Sequence, residues 1–304
     1  MHRMSQLDLA HPVSKASEYL RDLARPIAAA YIAHTPALGA VLVGSASTGE
    51  SDEYSDIDIG LQYNALPTDE QLDAARAQMI RELGAQQFPG PAGSDWYRIS
   101  GVDCQVGLVT LDVLHRHLDR ALSPDFLEGD QRALSGWLHA IALYGDDVIE
   151  QLRARVAIYP EELARATVRR YLRFPFWGSP DFFAARDAAL QFHQAAIEGC
   201  LHVLGVLAGL NRQYYSTFWF KRQRTFAEAL TFKPADLPNR IDRVLANLSG
   251  DPAAAASELE GLVTETVALV EQHMPEIDVT QAKRFPGDRH VPWRLPQSSR
   301  NLTQ

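Results

Sequence analysis

The chain has 304 residues, of which 46% are apolar and 22% charged, and its formal net charge is −9. This length suits two domains, and this composition is that of a soluble globular protein. No apolar run approaches the roughly 20 residues of a membrane-spanning helix, and the acidic balance provides no overall field to attract a polyanion. We therefore expect no membrane partner, and a nucleic-acid substrate is disfavoured.

The first part of the chain alternates helical and strand patterns. Apolar residues recur at helical spacing over residues 14–34, with Pro26 as an expected kink or restart. The apolar, β-branched run over residues 38–43 predicts a buried strand that ends at Gly44. Residues 56–63 predict a second strand.

Residues 68–83 have the clearest helical pattern, because Thr68 and Gln71 form a capping box and Gly84 follows the last apolar position. Beyond a loop rich in glycine and proline, residues 96–99 and 102–109 predict the two strands of a hairpin.

The rest of the chain has helical apolar spacing over residues 112–120, 131–155, 160–173, 181–210, 218–230 and 253–273. The sequence thus predicts an α+β fold, with a mixed sheet and helices over residues 1–118 and an all-helical domain over residues 119–280. Residues 281–304 lack periodicity and are expected to form a loose C-terminal tail.

The two cysteines, Cys104 and Cys200, are far apart and belong to no Cys/His cluster, so neither a disulfide framework nor a structural zinc site is indicated. Residues 1–10 contain no apolar block followed by a small-residue cleavage site, which leads us to expect a cytoplasmic protein.

Two aspartates in the second predicted strand carry the strongest chemical signal. Residues two apart on a strand share a face, so Asp56 and Asp58 project together while Ile57 and Ile59 face the core. Two adjacent carboxylates repel each other, and a divalent cation removes that cost. The alternative is a pair of ordinary surface aspartates on a solvated strand.

Gly44 and Ser45 stand where the preceding buried strand ends. A helix that begins there would direct backbone N–H groups and the Ser45 hydroxyl at an anion such as a phosphate. Gly49 would end that short helix. The alternative role for Ser45 is a helix cap.

This order, Gly44-Ser45, then Gly49, then Ser55-Asp56-Ile57-Asp58-Ile59, resembles the signature of the DNA polymerase β-like nucleotidyltransferase superfamily. The resemblance covers residues 20–112 and implies that the N-terminal domain has the nucleotidyltransferase fold. It makes Ser45 the phosphate-binding serine and the two aspartates metal ligands.

The family adds a third carboxylate on a later strand, for which Asp103 is the best match and Asp112 the fallback. The resemblance then implies attack of an acceptor hydroxyl on the α-phosphorus of an NTP, with Mg²⁺, or alternatively Mn²⁺, held by Asp56, Asp58 and Asp103. The loop at Glu50, Asp52 and Glu53 is more acidic than the family pattern.

A polar and aromatic cluster in the helical part is less specific. It resembles the second-domain segment of small-molecule nucleotidyltransferases, which implies that Lys221 meets the triphosphate and that Tyr214 or Tyr215 packs near the base or acceptor. The alternative is an aromatic helix-turn with solvated cations.

The leading hypothesis is an enzyme that transfers AMP from ATP to a hydroxyl of a small molecule or of a protein. The rivals are a non-catalytic nucleotide-binding regulatory or antitoxin-like module, and an enzyme that adds nucleotides to RNA ends. The sequence does not identify the acceptor, the nucleotide base that is preferred or the oligomeric state.

Overall fold

In the computed structural model of the protein, the described residues are 2–3, 13–125, 131–175, 180–216 and 221–283. They group into two compact units, one of residues 1–164 with 212–216 and one of residues 165–211 with 217–304. The functional domains predicted over residues 1–118 and 119–280 are not tested by this grouping and stay predictions. The predicted tail lies outside the described residues from residue 284 onward.

The first unit contains all the described strands, two of which form a small separate pair. The strands are β1 His2–Arg3, β2 Gly39–Val43, β3 Ile57–Tyr63, β4 Gln86–Phe88, β5 Ser94–Ile99, β6 Val102–Thr110, β7 Ile141–Tyr144 and β8 Ile158–Tyr159. Strands β1 and β8 pair with each other, and the other six form one sheet in the order β4-β5-β6-β3-β2-β7. Its neighbours are antiparallel except β3 and β6, which are parallel.

The helices are distributed over both units. They are α1 Lys15–His34, α2 Ser45–Thr48, α3 Asp69–Leu83, α4 Leu111–Ala121, α5 Gln131–Leu138, α6 Asp146–Val156, α7 Glu161–Tyr171, α8 Pro180–Ala184, α9 Ala189–Leu210, α10 Gln223–Ala229, α11 Leu237–Asn247, α12 Pro252–His273 and α13 Thr280–Lys283. A mixed sheet with helices followed by a helical C-terminal region confirms the predicted α+β class. No helix among the described residues is both long and apolar enough to span a bilayer.

Helices α1 and α3 contribute buried residues to the core cluster of the sheet, and local signals define α3. The Thr68 hydroxyl accepts from the backbone N–H of Gln71, whose side chain accepts from the backbone of Thr68 in return, which confirms the predicted capping box. Gly84 ends α3 in the left-handed conformation. Helix α1 is continuous through Pro26, so the predicted restart does not occur there.

One face of the sheet forms the core of the first unit. On β3 the residues alternate, with Ile57, Ile59 and Leu61 buried and the residues between them on the opposite face. The register of the parallel pair places Cys104 beside Ile57, and both belong to the core cluster that includes residues of α1 and α3. The opposite face of the sheet is therefore the one that carries Asp58.

A buried polar network joins α1, α3 and β5. The Tyr31 hydroxyl donates to Asp95 Oδ2 at 2.6 Å and lies 2.8 Å from the Tyr97 hydroxyl. Arg76 donates from Nη2 to Asp95 Oδ1 at 2.8 Å, and the Asp95 side chain is 5% exposed. Burial, followed by the neighbouring Tyr97 and Asp95, raises the pKa of Tyr31 far above its usual value.

The structure corrects three of the helical predictions. Within residues 131–155 the chain forms strand β7, which pairs with β2, between α5 and α6. An apolar run this short has neither a distinct helical nor a distinct strand periodicity. Here it forms a strand because it pairs with the free edge of β2. Residues 181–210 divide into α8 and α9, and helix α11 was not predicted.

Asn211 closes α9, one of the two 22-residue helices of the second unit. Its Nδ2 donates to the carbonyls of Leu207 and Phe232, and its Oδ1 accepts from the N–H groups of Thr231 and Phe232. Helix α9 packs against α12, with Phe183, Phe192, Ala255 and Ala256 in one buried cluster of this unit. Asn211 therefore has a structural role at the end of α9.

Candidate functional site

The turn after β2 has the conformation that its sequence predicts. Gly44 has φ 77° and ψ −159° and precedes α2, which begins at Ser45. Gly49 ends α2 with φ 87°, and its N–H donates to the Ser45 carbonyl at 3.1 Å. Ser45 is half-buried, and its Oγ accepts from the Ser51 hydroxyl at 3.2 Å. The chain thus turns back on itself within a few residues.

Helix α1 braces this turn from its N-terminal end. Arg21 donates from Nε to the Ala46 carbonyl at 2.8 Å and from Nη2 to the Ser47 carbonyl at 3.0 Å. The Ser17 hydroxyl accepts from the backbone N–H of Ser51 at 2.8 Å. Arg21 and Ser17 therefore fix the turn, a role that sequence reasoning missed because the partners lie 25 or more residues away.

Asp58 lies directly over the turn. It is the register partner of Val43, the last residue of β2. A Cβ atom on Gly44 would lie 3.0 Å from Asp58 Oδ2, so the glycine allows the backbone to approach the carboxylate. Asp56 is exposed and immediately precedes β3, which begins at Ile57 rather than at residue 56 as predicted.

Asp103 lies on β6, the parallel neighbour of β3. The register pairs Asp58 with Gln105, so Asp103, two residues earlier, projects from the same face. Its carboxylate accepts from Arg98, with Nε–Oδ1 at 2.7 Å and Nη2–Oδ2 at 3.2 Å. This hydrogen bonding lowers the pKa of Asp103 below its usual value, so the carboxylate is ionised at neutral pH.

Cys104 reports on the charges around it. Burial, followed by the negative charges of Asp103, Asp56 and Asp58, raises the pKa of the Cys104 thiol to about 12. Cys104 is the register partner of Ile57, whose chain neighbours are Asp56 and Asp58, so all three predicted carboxylates belong to residues next to this pair. The sheet register and this shared effect agree in bringing the three residues to one region of the first unit.

The three carboxylates do not converge into a closed ligand set. Among the described residues, no group of three His, Cys, Asp or Glu side chains has the arrangement of a metal site. Asp103 turns toward Arg98 instead. Asp112, the fallback, lies in the first turn of α4 and forms an ion pair with Arg116.

Asp52 organises the acidic loop that precedes β3. Its Oδ1 accepts from the backbone N–H of Tyr54 at 3.0 Å and from the Ser55 hydroxyl at 3.1 Å. Such hydrogen bonds from an aspartate to the next residues define an Asx turn. One of the three acidic side chains of this loop thus has a local structural role.

The residues of the helical part that were predicted to contact the nucleotide differ in their burial. Tyr214 is buried, stacks on Tyr159 with ring centroids 4.9 Å apart, and donates its hydroxyl to the Val156 carbonyl at 2.8 Å. Tyr215 is also buried, and Lys221 is exposed. Their roles at the triphosphate, base or acceptor stay predictions.

Comparison with known proteins gives a distant structural similarity. No protein-family model and no curated protein matches the chain. The crystal structure of a nucleotidyltransferase-like protein from Exiguobacterium sibiricum 255-15, solved at 1.90 Å resolution, is similar with a TM-score of 0.38 and 14% sequence identity, over 85% of this chain and 81% of that chain. This similarity is too distant to indicate a function for the chain.

Proposed function

We propose that the protein is a metal-dependent nucleotidyltransferase of the polymerase β-like superfamily. It transfers a nucleoside monophosphate, AMP from ATP, to a hydroxyl of a small molecule, with a protein side chain as the second choice of acceptor, and pyrophosphate leaves. The observation that supports this most is the position of Asp58 over Gly44, on the sheet face that also carries Asp103.

The donor chemistry of the three carboxylates, but not their present arrangement, suits a hard divalent cation. Asp56, Asp58 and Asp103 offer carboxylate oxygens, which Mg²⁺ and Mn²⁺ prefer, and Ile57, which lies between the first two, is the register partner of Cys104, which follows the third. Asp103 would have to exchange its contact with Arg98 for the ion. When bound, the metal would polarise the phosphates and lower the pKa of the acceptor hydroxyl.

The chain's own residues would perform the positioning. The backbone at Gly44 has no side chain to obstruct a phosphate, and the Ser45 hydroxyl lies at the start of α2 to donate to it. Arg21 holds this turn rigid through two backbone carbonyls. Rigid placement of the phosphates supplies much of the rate in such reactions.

Asp103 is the residue of this set suited to accept the proton. Arg98 lowers the pKa of Asp103, which keeps the carboxylate ionised but weakens it as a base, so this role requires Arg98 to move away when the site is loaded. Its exposed carboxylate, 64% accessible at the side chain, leaves room for a hydroxyl to approach.

Binding of Mg-ATP tests the proposal without knowledge of the acceptor. Isothermal titration of ATP with Mg²⁺ or with EDTA should give metal-dependent binding to the wild-type protein. Asp58→Asn should weaken that binding by tenfold or more, while Asp112→Asn, which alters a carboxylate on α4, should bind like wild type. Equal ATP binding by the two variants would remove Asp58 from the site.

A further inference from the structure

The sheet face that carries Asp58 continues across three more strands. Asp58 is the register partner of Gln105 on β6, Gln105 of Trp96 on β5, and Trp96 of Phe88 on β4. Side chains of register partners project from the same face of a sheet. These four residues, here called the aromatic row, therefore extend from the proposed catalytic carboxylate to the edge of the sheet.

The two aromatic rings of this row are accessible to solvent. Trp96 is 41% exposed and Phe88 is 42% exposed. Single exposed aromatics are ordinary, but these two are adjacent and in line with a carboxylate. The Trp96 Nε1–H donates to the Ser94 hydroxyl at 3.2 Å, and its Cδ1 would lie 2.7 Å from a Cβ atom on Gly90. The indole is thus held at its edges while much of it remains accessible.

The neighbouring row leaves an opening beside the indole. Gly107 on β6 is the register partner of Gly60 on β3 and of Ser94 on β5. A Cβ atom on Gly107 would meet, within 4 Å, the Ile59 carbonyl oxygen at 3.8 Å and no other described neighbour. Among the described residues the space above Gly107 is open. A Cβ atom on its β3 partner Gly60 would lie 3.2 Å from both Gln62 Nε2 and Val41 Cγ1, so the open space lies on the β5 side, towards Ser94 and Trp96.

The side chains beside this opening are uncharged, and the charged groups at its margin are Asp58, the register partner of Gln105, and Asp103, two residues before Gln105. Ser94 supplies a hydroxyl, Gln105 an amide and Trp96 an indole. Arg98, two residues after Trp96 on β5, pairs with Asp103, and its guanidinium carbon lies 5.6 Å from the centroid of the Phe88 ring. Two strand spacings, about 10 Å, separate the backbones of Asp58 and Trp96. This span suits one small ring whose apolar face packs on the indole.

We propose that Trp96, Gln105 and Gly107 form the acceptor subsite, and that the acceptor is a neutral, hydroxylated ring compound of the sugar or cyclitol type. The ring packs against the Trp96 indole above Gly107, Gln105 hydrogen-bonds a ring hydroxyl, and another hydroxyl is directed at the Asp58 side. The role of this ring as the acceptor rests on the proposed function, whereas the binding of the ring does not.

Saturation-transfer NMR with methyl β-D-glucopyranoside and myo-inositol tests this subsite, because it observes the protons of the probe and needs no activity. We expect saturable binding of at least one probe to the wild-type protein. Trp96→Ala should weaken it at least tenfold, and Trp96→Phe should retain most of it. Gly107→Ala should also weaken it, since its methyl group enters the open space without a backbone clash.

Tyr144→Ala is the matched control, because Tyr144 is 46% exposed on β7, at the opposite edge of the same sheet. It should bind the probe like wild type. Failure of both probes to bind wild type, or equal affinity of wild type and Trp96→Ala, would overturn the subsite. Asp58→Asn should keep the probe affinity while losing nucleotide transfer, so the subsite and the proposed function can fail separately.

Discussion

The Asp58 carboxylate lies over Gly44, with Oδ2 3.0 Å from the position of a Cβ atom on that glycine. The antiparallel pairing of Val43 with Asp58 produces this approach, because β2 ends at the point where the carboxylate of β3 projects. Gly44 also has φ 77° and ψ −159°, a conformation that residues with a side chain rarely adopt. Conformation and space both restrict this position to glycine.

We expect Gly44→Ala to lose most nucleotide binding and to lower the free energy of unfolding by about 1–3 kcal/mol. The methyl group would displace the Asp58 carboxylate and strain the turn. Urea unfolding and titration of Mg-ATP measure the two effects.

Gly84→Ala separates strain from crowding. Gly84 also has a positive φ, 61°, but a Cβ atom there would meet no described neighbour within 4 Å. It should cost about 1 kcal/mol of stability and leave Mg-ATP binding unchanged. If Gly44→Ala binds nucleotide as well as Gly84→Ala does, the turn is not part of the site.

Removal of the Arg21 side chain should loosen the turn. Arg21 holds two carbonyls of α2, and charged hydrogen bonds of this kind contribute about 1.5–3 kcal/mol each when buried, less at a half-buried position. We expect Arg21→Ala to raise the dissociation constant of Mg-ATP about tenfold. Arg25→Ala, an exposed position one turn further along α1, should have no effect, and a similar rise in both variants would contradict the bracing role.

Substitution of Asp95 should destabilise the protein, whereas substitution of Asp103 on the adjacent strand should affect activity instead. Asp95→Ala leaves the partly buried Arg76 without its main partner, so it should destabilise the protein by about 3 kcal/mol. Asp103→Asn removes an exposed ion pair and should leave the free energy of unfolding unchanged within error while it abolishes transfer. A large loss of stability in Asp103→Asn would make this residue structural.

Stability should fall in alkaline solution. Burial, followed by nearby negative charges, raises the pKa of Cys104 to about 12, and burial raises that of Cys200 to about 12, whereas an unfolded thiol titrates near pH 8.5. Between these values the unfolded chain has fewer bound protons than the native one, so the free energy of unfolding decreases as pH rises.

Urea unfolding at pH 7.5, 9 and 10 measures this decrease. Each shifted thiol should contribute a slope of up to about 1.4 kcal/mol per pH unit above pH 8.5. Cys104→Ser should have a shallower slope than wild type, because the serine hydroxyl does not titrate in this range. An identical slope in wild type and variant would mean that the native structure does not raise the pKa of the Cys104 thiol.

Local signals explain why part of the structure follows from the sequence. The capping box of Thr68 and Gln71 depends on residues three apart and is confirmed. The Gly44 turn and Gly49 are likewise local. Strand β7 was predicted as helix because its state depends on the open edge of β2, which no short window contains.

Most of the contacts that could not be predicted from the sequence depend on the register of the strands. The common face of Asp58, Gln105 and Trp96 requires the pairing of three strands, and the contacts of Arg21 require the docking of α1. The pairing of Asp103 with Arg98 is a cross-strand contact of the predicted hairpin. A pattern of residue types along one chain does not specify such contacts between segments.

Transfer of label from α-labelled NTPs tests the central claim most directly. Wild-type protein, Asp58→Asn and Asp112→Asn would be incubated with Mg²⁺, the labelled nucleotides and cell extract divided into small-molecule, protein and RNA fractions. We predict label from ATP in the small-molecule fraction with wild type and Asp112→Asn, and none with Asp58→Asn. Equal labelling by Asp58→Asn and wild type would contradict the assignment of this site.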